Sequence, residues 1–285
     1  MSTTGDDKSK RNPNAPKESK KSTRERAQAA REAAEAEQRR RDIRIRLIGG
    51  GVLVLVVALI IGAAVAVNIQ NSNKNNPGSI VADAKLPTGA LAADNTNAFG
   101  MPYKTAASKP VLAIWEDFQC PVCGAFEKAA GASVQKLADD GTITLIHRPT
   151  TFLDQAHPES NSASARATAA WGCAIDAGKS EEYHNKVFAN QPTTEGVGWT
   201  DDQLMQFGKD VGITGDAYTT FAKCYSDKTY TQWTTNSYLT FVNDAVAGTP
   251  TLVLNGKEIP STAYTNSSTG AYDPAALADY IAKNG

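Results

Sequence analysis

The spacing of apolar positions changes character along the chain. Before Ile43 there is almost no large apolar side chain, so residues 1 to 46 cannot bury a core. From Leu47 to Val67 about 21 residues run without a charge. At ~1.5 Å rise per residue this spans roughly 30 Å, the thickness of a bilayer's hydrocarbon core. The run predicts one transmembrane helix over 47–69. Residues 70–96 carry Asn, Ser, Gly, Pro and Ala with little periodicity and read as a flexible linker.

Regular patterns follow, and 97–285 reads as one folded domain. Val111 to Trp115 is a short apolar run rich in strand formers, bounded by Lys109-Pro110 and Cys120-Pro121. It predicts a buried strand that runs into a helix. Phe126, Ala130, Val134 and Leu137 keep helical spacing until Asp139-Asp140-Gly141, a turn. Thr142 to His147 alternates like a second strand. Helical segments alone are predicted between about 158 and 241, near 160–178, 181–189, 201–211, 215–227 and 230–244. Thr251 to Leu254 with Asn255-Gly256 reads as a strand entering a hairpin, and Pro274 to Lys283 as a closing helix. The order β-α-β, a block of helices, β-β, α predicts an α/β fold whose small mixed sheet accepts a helical insertion at about 155–246.

Charge adds a direction. Residues 1 to 46 hold 14 Lys/Arg and 8 Asp/Glu, and the remainder is acidic by about seven charges. No basic stripe is left in the domain to track phosphates, which argues against nucleic-acid binding. The tail reads as disordered, with a helix-favouring run from Thr23 to Arg41. Arg39, Arg40, Arg41, Arg44 and Arg46 precede the apolar run, and only Lys74 follows closely. By the positive-inside rule the tail is expected in the cytoplasm and the domain outside it, anchored by a single pass. A cleaved signal peptide is the rival reading, since Ala64 and Ala66 form an Ala-x-Ala-like site, but the run exceeds a usual h-region. All four cysteines, Cys120, Cys123, Cys173 and Cys224, then lie where disulfides are permitted.

Cys120-Pro121-Val122-Cys123 sits where the first strand gives way to a helix. Pro121 suits the first helical position, where its missing N–H costs nothing. Cys120 falls at the N-cap, where unpaired N–H groups and the helix dipole favour a thiolate, the species that attacks disulfides. Three-residue spacing puts Cys123 within disulfide reach, so Cys120 can attack and Cys123 can resolve. A zinc site would need further ligands at short spacing, and Cys173, Cys224, His147, His157 and His184 do not offer it, so no metal is expected. A purely structural bridge over two residues would constrain little chain.

Asp-Phe-Gln-Cys-Pro-Val-Cys at 117–123 resembles the active-site motif of DsbA-like thiol-disulfide oxidoreductases of the thioredoxin superfamily, in particular the membrane-anchored actinobacterial forms. Gly248-Thr249-Pro250-Thr251 matches a second motif, and Tyr183 to Phe188, Gln191-Pro192, Trp199-Thr200 and Leu204 resemble the family's helical insertion. The resemblance implies a thioredoxin-like fold, a cis bond before Pro250, and a substrate-binding role for Thr249 and Pro250 facing the cysteine pair. Ile114 departs from it, because many relatives carry a buried acid six residues before the first cysteine. Glu116 or Asp117 is therefore the candidate proton relay to Cys123, with a solvated or capping carboxylate as the plainer reading. Val122 offers a thiolate no polar help. Cys173 and Cys224 form an even remainder that reads as a structural disulfide, the alternative being two separate buried thiols.

The expected activity is an extracytoplasmic oxidase that passes a disulfide to exported cysteine-containing proteins, with no cofactor of its own. The resemblance implies reoxidation by a quinone-linked membrane enzyme of the VKOR-like or DsbB-like kind. A reductase or isomerase, including one serving cytochrome c maturation, and a non-catalytic peptide-binding module are the alternatives.

Overall fold

The computed structural model describes residues 79–104 and 109–285. The expected tail and the expected span over 47–69 lie outside the described residues. Among the described residues no helix is long and apolar enough to cross a membrane.

Five strands build one mixed sheet: β1 (Met101–Lys104), β2 (Val111–Glu116), β3 (Thr144–Pro149), β4 (Thr251–Leu254) and β5 (Lys257–Glu258), in the order β1-β3-β2-β4-β5. Central β2 runs parallel to β3 and antiparallel to β4. Both its faces are covered, which is why it reads as a continuous apolar run rather than an alternating one. β1 was not predicted. Its Pro102 weakens the strand signal, and the structure puts it where proline is tolerated, on the edge, paired antiparallel with β3 through an irregular register.

After β2 the chain turns into α1 (Pro121–Phe126), a π turn (Glu127–Gly131) and α2 (Ala132–Asp139), so the predicted single helix contains a wider turn. Phe126, Val134, Leu112, Ile114, Leu145, Leu252 and Leu254 join Leu277 and Ile281 of the closing helix in one core beneath the sheet. That closing helix, α9 (Pro274–Asn284), starts with Pro274 in its first turn and an Asp273 carboxylate accepting from two N–H groups, a sequence-legible cap.

The helical insertion supplies α3 (Leu153–Ala156), α4 (Ala163–Asp176), α5 (Ser180–Ala189), α6 (Asp201–Asp210), α7 (Gly215–Ser226) and α8 (Thr231–Asn243). A second core joins it to the active-site end of the sheet, through Phe118, Trp171, Tyr183, Phe188, Trp199, Leu204, Phe221 and Trp233. The Trp171 indole donates to Ser180 O at 2.7 Å and the Tyr183 hydroxyl to Leu204 O at 2.9 Å, so the polar ends of buried aromatics are satisfied. Thr200 and Gln203 form a reciprocal capping box at the start of α6.

From residue 79 the stretch read as a linker is docked on the insertion. Val81 and Asn236 exchange hydrogen bonds of 3.1 and 2.7 Å, and Thr88 donates twice to Asp176. Phe99 is fully buried, and its carbonyl accepts from the Trp233 indole at 2.9 Å. Composition misleads here because the anchors, the apolar Ile80, Leu86, Ala90 and Ala93 as well as these polar contacts, keep no helix or strand period and are met by distant parts of the chain.

Cys173 on α4 and Cys224 on α7 are bonded to each other, 51 positions apart. Closing a loop of that size removes unfolded-state freedom worth about 4 kcal/mol in the chain-entropy model. A C173S/C224S double variant should lose a stability of that order in chemical denaturation, and an unchanged midpoint would show that the bond constrains nothing.

Candidate active site

The strand-to-helix junction is built by burial and by side chains that bolt it down. β2 ends at Glu116, and Asp117 to Cys120 form a turn closed by the Cys120 N–H donating to Asp117 O at 2.9 Å. Cys120 occupies the N-cap of α1 in extended conformation, with Pro121 in the first turn. Asp117 is fully buried. Its Oδ1 accepts from Gln119 N at 2.9 Å and Ser164 Oγ at 2.5 Å, and its Oδ2 from Leu153 N at 3.1 Å. Burial holds its carboxyl well above the ordinary range, although these donors act the other way. Asp117 therefore ties the junction to α3 and α4, and its oxygens are engaged there.

A further clamp comes from Gln191, whose amide donates to both Phe118 O and Cys120 O at 2.8 Å. A Cβ at Gly124 would stand 2.2 Å from the Gln191 oxygen, so a glycine one residue past the motif is what lets the clamp close.

Both motif cysteines are buried and unbonded. The Cys120 thiol faces the Thr249 carbonyl with Sγ to O at 3.4 Å, and the Thr249–Pro250 bond is cis. The structure thus brings together the two separated motifs. The hydrogen bond from the Cys123 thiol, then the Thr249 side chain and the N–H groups of Cys123 and Val122, hold Cys120 below the ordinary thiol value against the opposing effect of burial. Cys123 is displaced the other way, well upward, chiefly by complete burial and by its partner sulfur. One thiol is set to be the nucleophile and the other to remain protonated.

Behind the sulfurs lies a cluster that sequence reasoning assigned only in part. Glu116 Oε2 meets His147 Nδ1 at 3.0 Å and His184 Nε2 at 3.3 Å, all three groups being buried. Burial and the nearby His184 push His147 down to about 3, so it is neutral. Burial alone would do the same to His184, but the Glu116 carboxylate overrides it and raises the imidazole. Glu127 of the π turn joins them, pushed up to about 8 by burial and by Glu116. Among the described residues, Glu116, His147 and His184 are the His/Cys/Asp/Glu group close enough to share an ion, with ligand atoms within 4.8 Å. Their contacts are two imidazoles meeting one buried carboxyl oxygen. His184 and His147 carried no functional signal in sequence because they approach from α5 and β3. Glu127 could have been found, since it lies one turn beyond Cys123 on the same helix face.

The model of the family described as Thioredoxin matches residues 101–271. The chain belongs to the thioredoxin family. Among solved structures this thioredoxin-family chain is similar to the MdbA protein, a thiol-disulfide oxidoreductase from Actinomyces oris, at 21% identity and a TM-score of 0.57, covering 70% of this chain and 92% of that one. It is also similar to BdbD from Bacillus subtilis, at 18% identity and a TM-score of 0.52, with 70% and 97% covered. MdbA from Corynebacterium diphtheriae gives 18%, a TM-score of 0.51, and 70% and 94%. These likenesses establish the fold. No curated protein matches the chain in sequence.

Two outcomes follow. Q191A should lose about 1–3 kcal/mol in denaturant unfolding, because Phe118 O and Cys120 O lose the amide that donates to both and Cys120 O keeps only the Gly124 N–H, and G124A should lose stability too by displacing the same amide. A G124A protein as stable as wild type would contradict the clamp. Glu127 releases its proton near 4.5 when unfolded and near 8 when folded, so the folded state binds the extra proton between those values and its stability falls as pH rises through them. E127Q should show a shallower fall from pH 5 to 8 than wild type, and an equal fall would contradict the assignment.

Proposed function

We propose that the chain is a membrane-anchored, extracytoplasmic thiol-disulfide oxidase. The observation that carries the reading is the inequality of the two sulfurs: a nucleophilic Cys120 at a helix N-cap facing Thr249-Pro250, and a sealed Cys123 behind it. A pair whose reduced form is stabilised by a thiolate gives its disulfide away readily.

The reaction follows from this arrangement. A substrate thiolate attacks Sγ of Cys120 in the Cys120–Cys123 disulfide, and Cys123 leaves and is protonated. A second substrate thiolate then attacks the substrate's own sulfur in the mixed disulfide. Cys120 leaves as the thiolate the N-cap stabilises, the substrate is oxidised, and the pair is reduced. Thr249 and Pro250 present backbone to an extended substrate segment beside Cys120.

Two reduced sulfurs must be reoxidised by a partner, and a quinone-linked membrane enzyme of the VKOR-like or DsbB-like kind meets that need. The apolar run over 47–69 and the arginines before it support an anchor with the domain outside the cytoplasm. The Cys173–Cys224 bond supports the same compartment. MdbA of Actinomyces oris, described as a thiol-disulfide oxidoreductase, shares the fold and supports the reaction class.

Equilibration of the protein with glutathione should give a Cys120/Cys123 potential tens of millivolts or more above the roughly −270 mV of thioredoxin. A value at or below that level would make the protein a reductase. C120S should abolish oxidation of reduced exported proteins, and retained function would favour a peptide-binding module.

A further inference from the structure

The loop between α5 and α6 carries the Gln191 clamp, and it also borders an open cleft of about 610 Å³. The cleft is lined by Asn190, Pro192, Val197 and Trp199 from the loop, by Glu159 from the turn Pro158–Ser160, and by Asp201 at the start of α6. Its volume is in the range of ordinary binding clefts. Asn190 and Pro192 flank Gln191, whose amide holds Cys120 O at 2.8 Å, so the cleft begins one residue from the clamp on the nucleophile. Gln119, the other neighbour of Cys120 in sequence, has its buried Oε1 3.7 Å from where a Cβ at Gly198 would stand. The loop therefore abuts the motif on its inner side and the cleft on its outer side.

The loop is braced. The Trp199 indole donates to Asn190 O at 2.9 Å and closes the loop on itself. His157 meets Glu159 Oε1 at 2.9 Å and Glu195 Oε1 at 2.8 Å, which joins the loop to the turn. Gly196 and Gly198 take φ of 84° and 62°, and a Cβ at 198 would stand 2.2 Å from the Ala163 Cβ. Val197 is held between these two glycines with 63% of its surface in water. A single exposed apolar side chain is ordinary, but this one is fixed on a braced loop at the edge of a cleft beside the reactive sulfur.

Carboxylates dominate the charge around it. Glu159 and Asp201 line the cleft, Glu195 is on the loop, and exposed Asp202 follows Asp201 in the first turn of α6. The cations among them are already engaged. Arg166 donates from Nη1 to Asp201 Oδ1 at 2.7 Å and from Nε to Asn161 O at 2.9 Å, and His157 sits between Glu159 and Glu195. Even with His157 protonated, the carboxylates of Glu159, Glu195, Asp201 and Asp202 outnumber the two cations. The cleft thus offers an apolar seat within a field of negative sign, next to Cys120.

We propose that this cleft docks a basic stretch of the substrate polypeptide, with an apolar side chain of that stretch on Val197 and its Lys or Arg residues drawn by the surrounding carboxylates. The inference rests on the oxidoreductase reading above. Docking a neighbouring stretch raises the local concentration of the substrate thiolate at Cys120 and leaves the chemistry of the two sulfurs unchanged. Its effect falls on the bimolecular rate and on the salt dependence of that rate, and not on the potential of the pair. Val197 and Asp202 are specificity residues in this scheme.

The test is a stopped-flow measurement of the second-order rate at which the full-length oxidised protein reacts with two dithiol peptides. The peptides share one cysteine pair and differ in their flanks, Lys, Arg and Leu in one and Asp, Glu and Leu in the other, and each is run at low and at high salt. Wild type should prefer the basic peptide about tenfold at low salt and lose most of that preference at high salt. D202K should cut the preference about threefold, and V197S should slow the basic peptide about threefold. Both positions are exposed, so neither change removes a core contact, and the Cys120/Cys123 potential should stay at the wild-type value in each. D216K, an equal change of charge at the start of α7 and outside the cleft, should leave the preference intact. Equal wild-type rates with the two peptides at low salt overturn the docking site, as do D202K and V197S proteins with wild-type rates, or a D216K protein that loses the preference as D202K does. A wild-type protein that exchanges with neither peptide at either salt sinks the oxidoreductase reading instead.

Discussion

A thiol at the open end of a helix and a second thiol one turn deeper are unequal acids, and the chemistry of this chain depends on that inequality. The outer sulfur is offered N–H groups and a neighbouring S–H that favour its anion, whereas the inner one is fully desolvated. Attack, mixed disulfide and release then follow in a fixed order, because only one sulfur can be approached as a nucleophile and only one is held as an internal partner.

Much of the rest of the domain keeps that junction rigid. The central strand, covered on both faces, brings Glu116 and Asp117 to a fixed point. Asp117 and Gln191 then bolt the turn to the inserted helices, from the strand side and from the end of α5. The Cys173–Cys224 bond holds two helices of the insertion together, so the clamp has a stiff support. The insertion is thus a framework for the motif as well as a wall beside it.

The elements that carry long apolar periodicity were legible in the sequence, as was the chemistry local to one segment: β2, the helices of the insertion, and Cys120 at a helix start. The strand at Met101–Lys104 was hidden by its proline, and the docking of 79–96 by its lack of periodicity. The site was legible where a motif lies along the chain and opaque where it is assembled across it. Glu116 and Asp117 are adjacent and look equivalent, yet the structure spends Asp117 on three structural donors and turns Glu116 to two imidazoles and Glu127. No spacing rule separates them, because Glu116 ends β2 and Asp117 opens the turn after it, and only the tertiary partners say which of the two meets the imidazoles.

The central claim is the ordering of the two thiols, and titrating each sulfur separately tests it most directly. With cysteine Cβ carbons labelled and assigned through single Cys-to-Ser variants, NMR of the reduced protein should show Cys120 ionising below an ordinary thiol and Cys123 well above it. Coincident titrations, or Cys123 ionising first, would contradict the account.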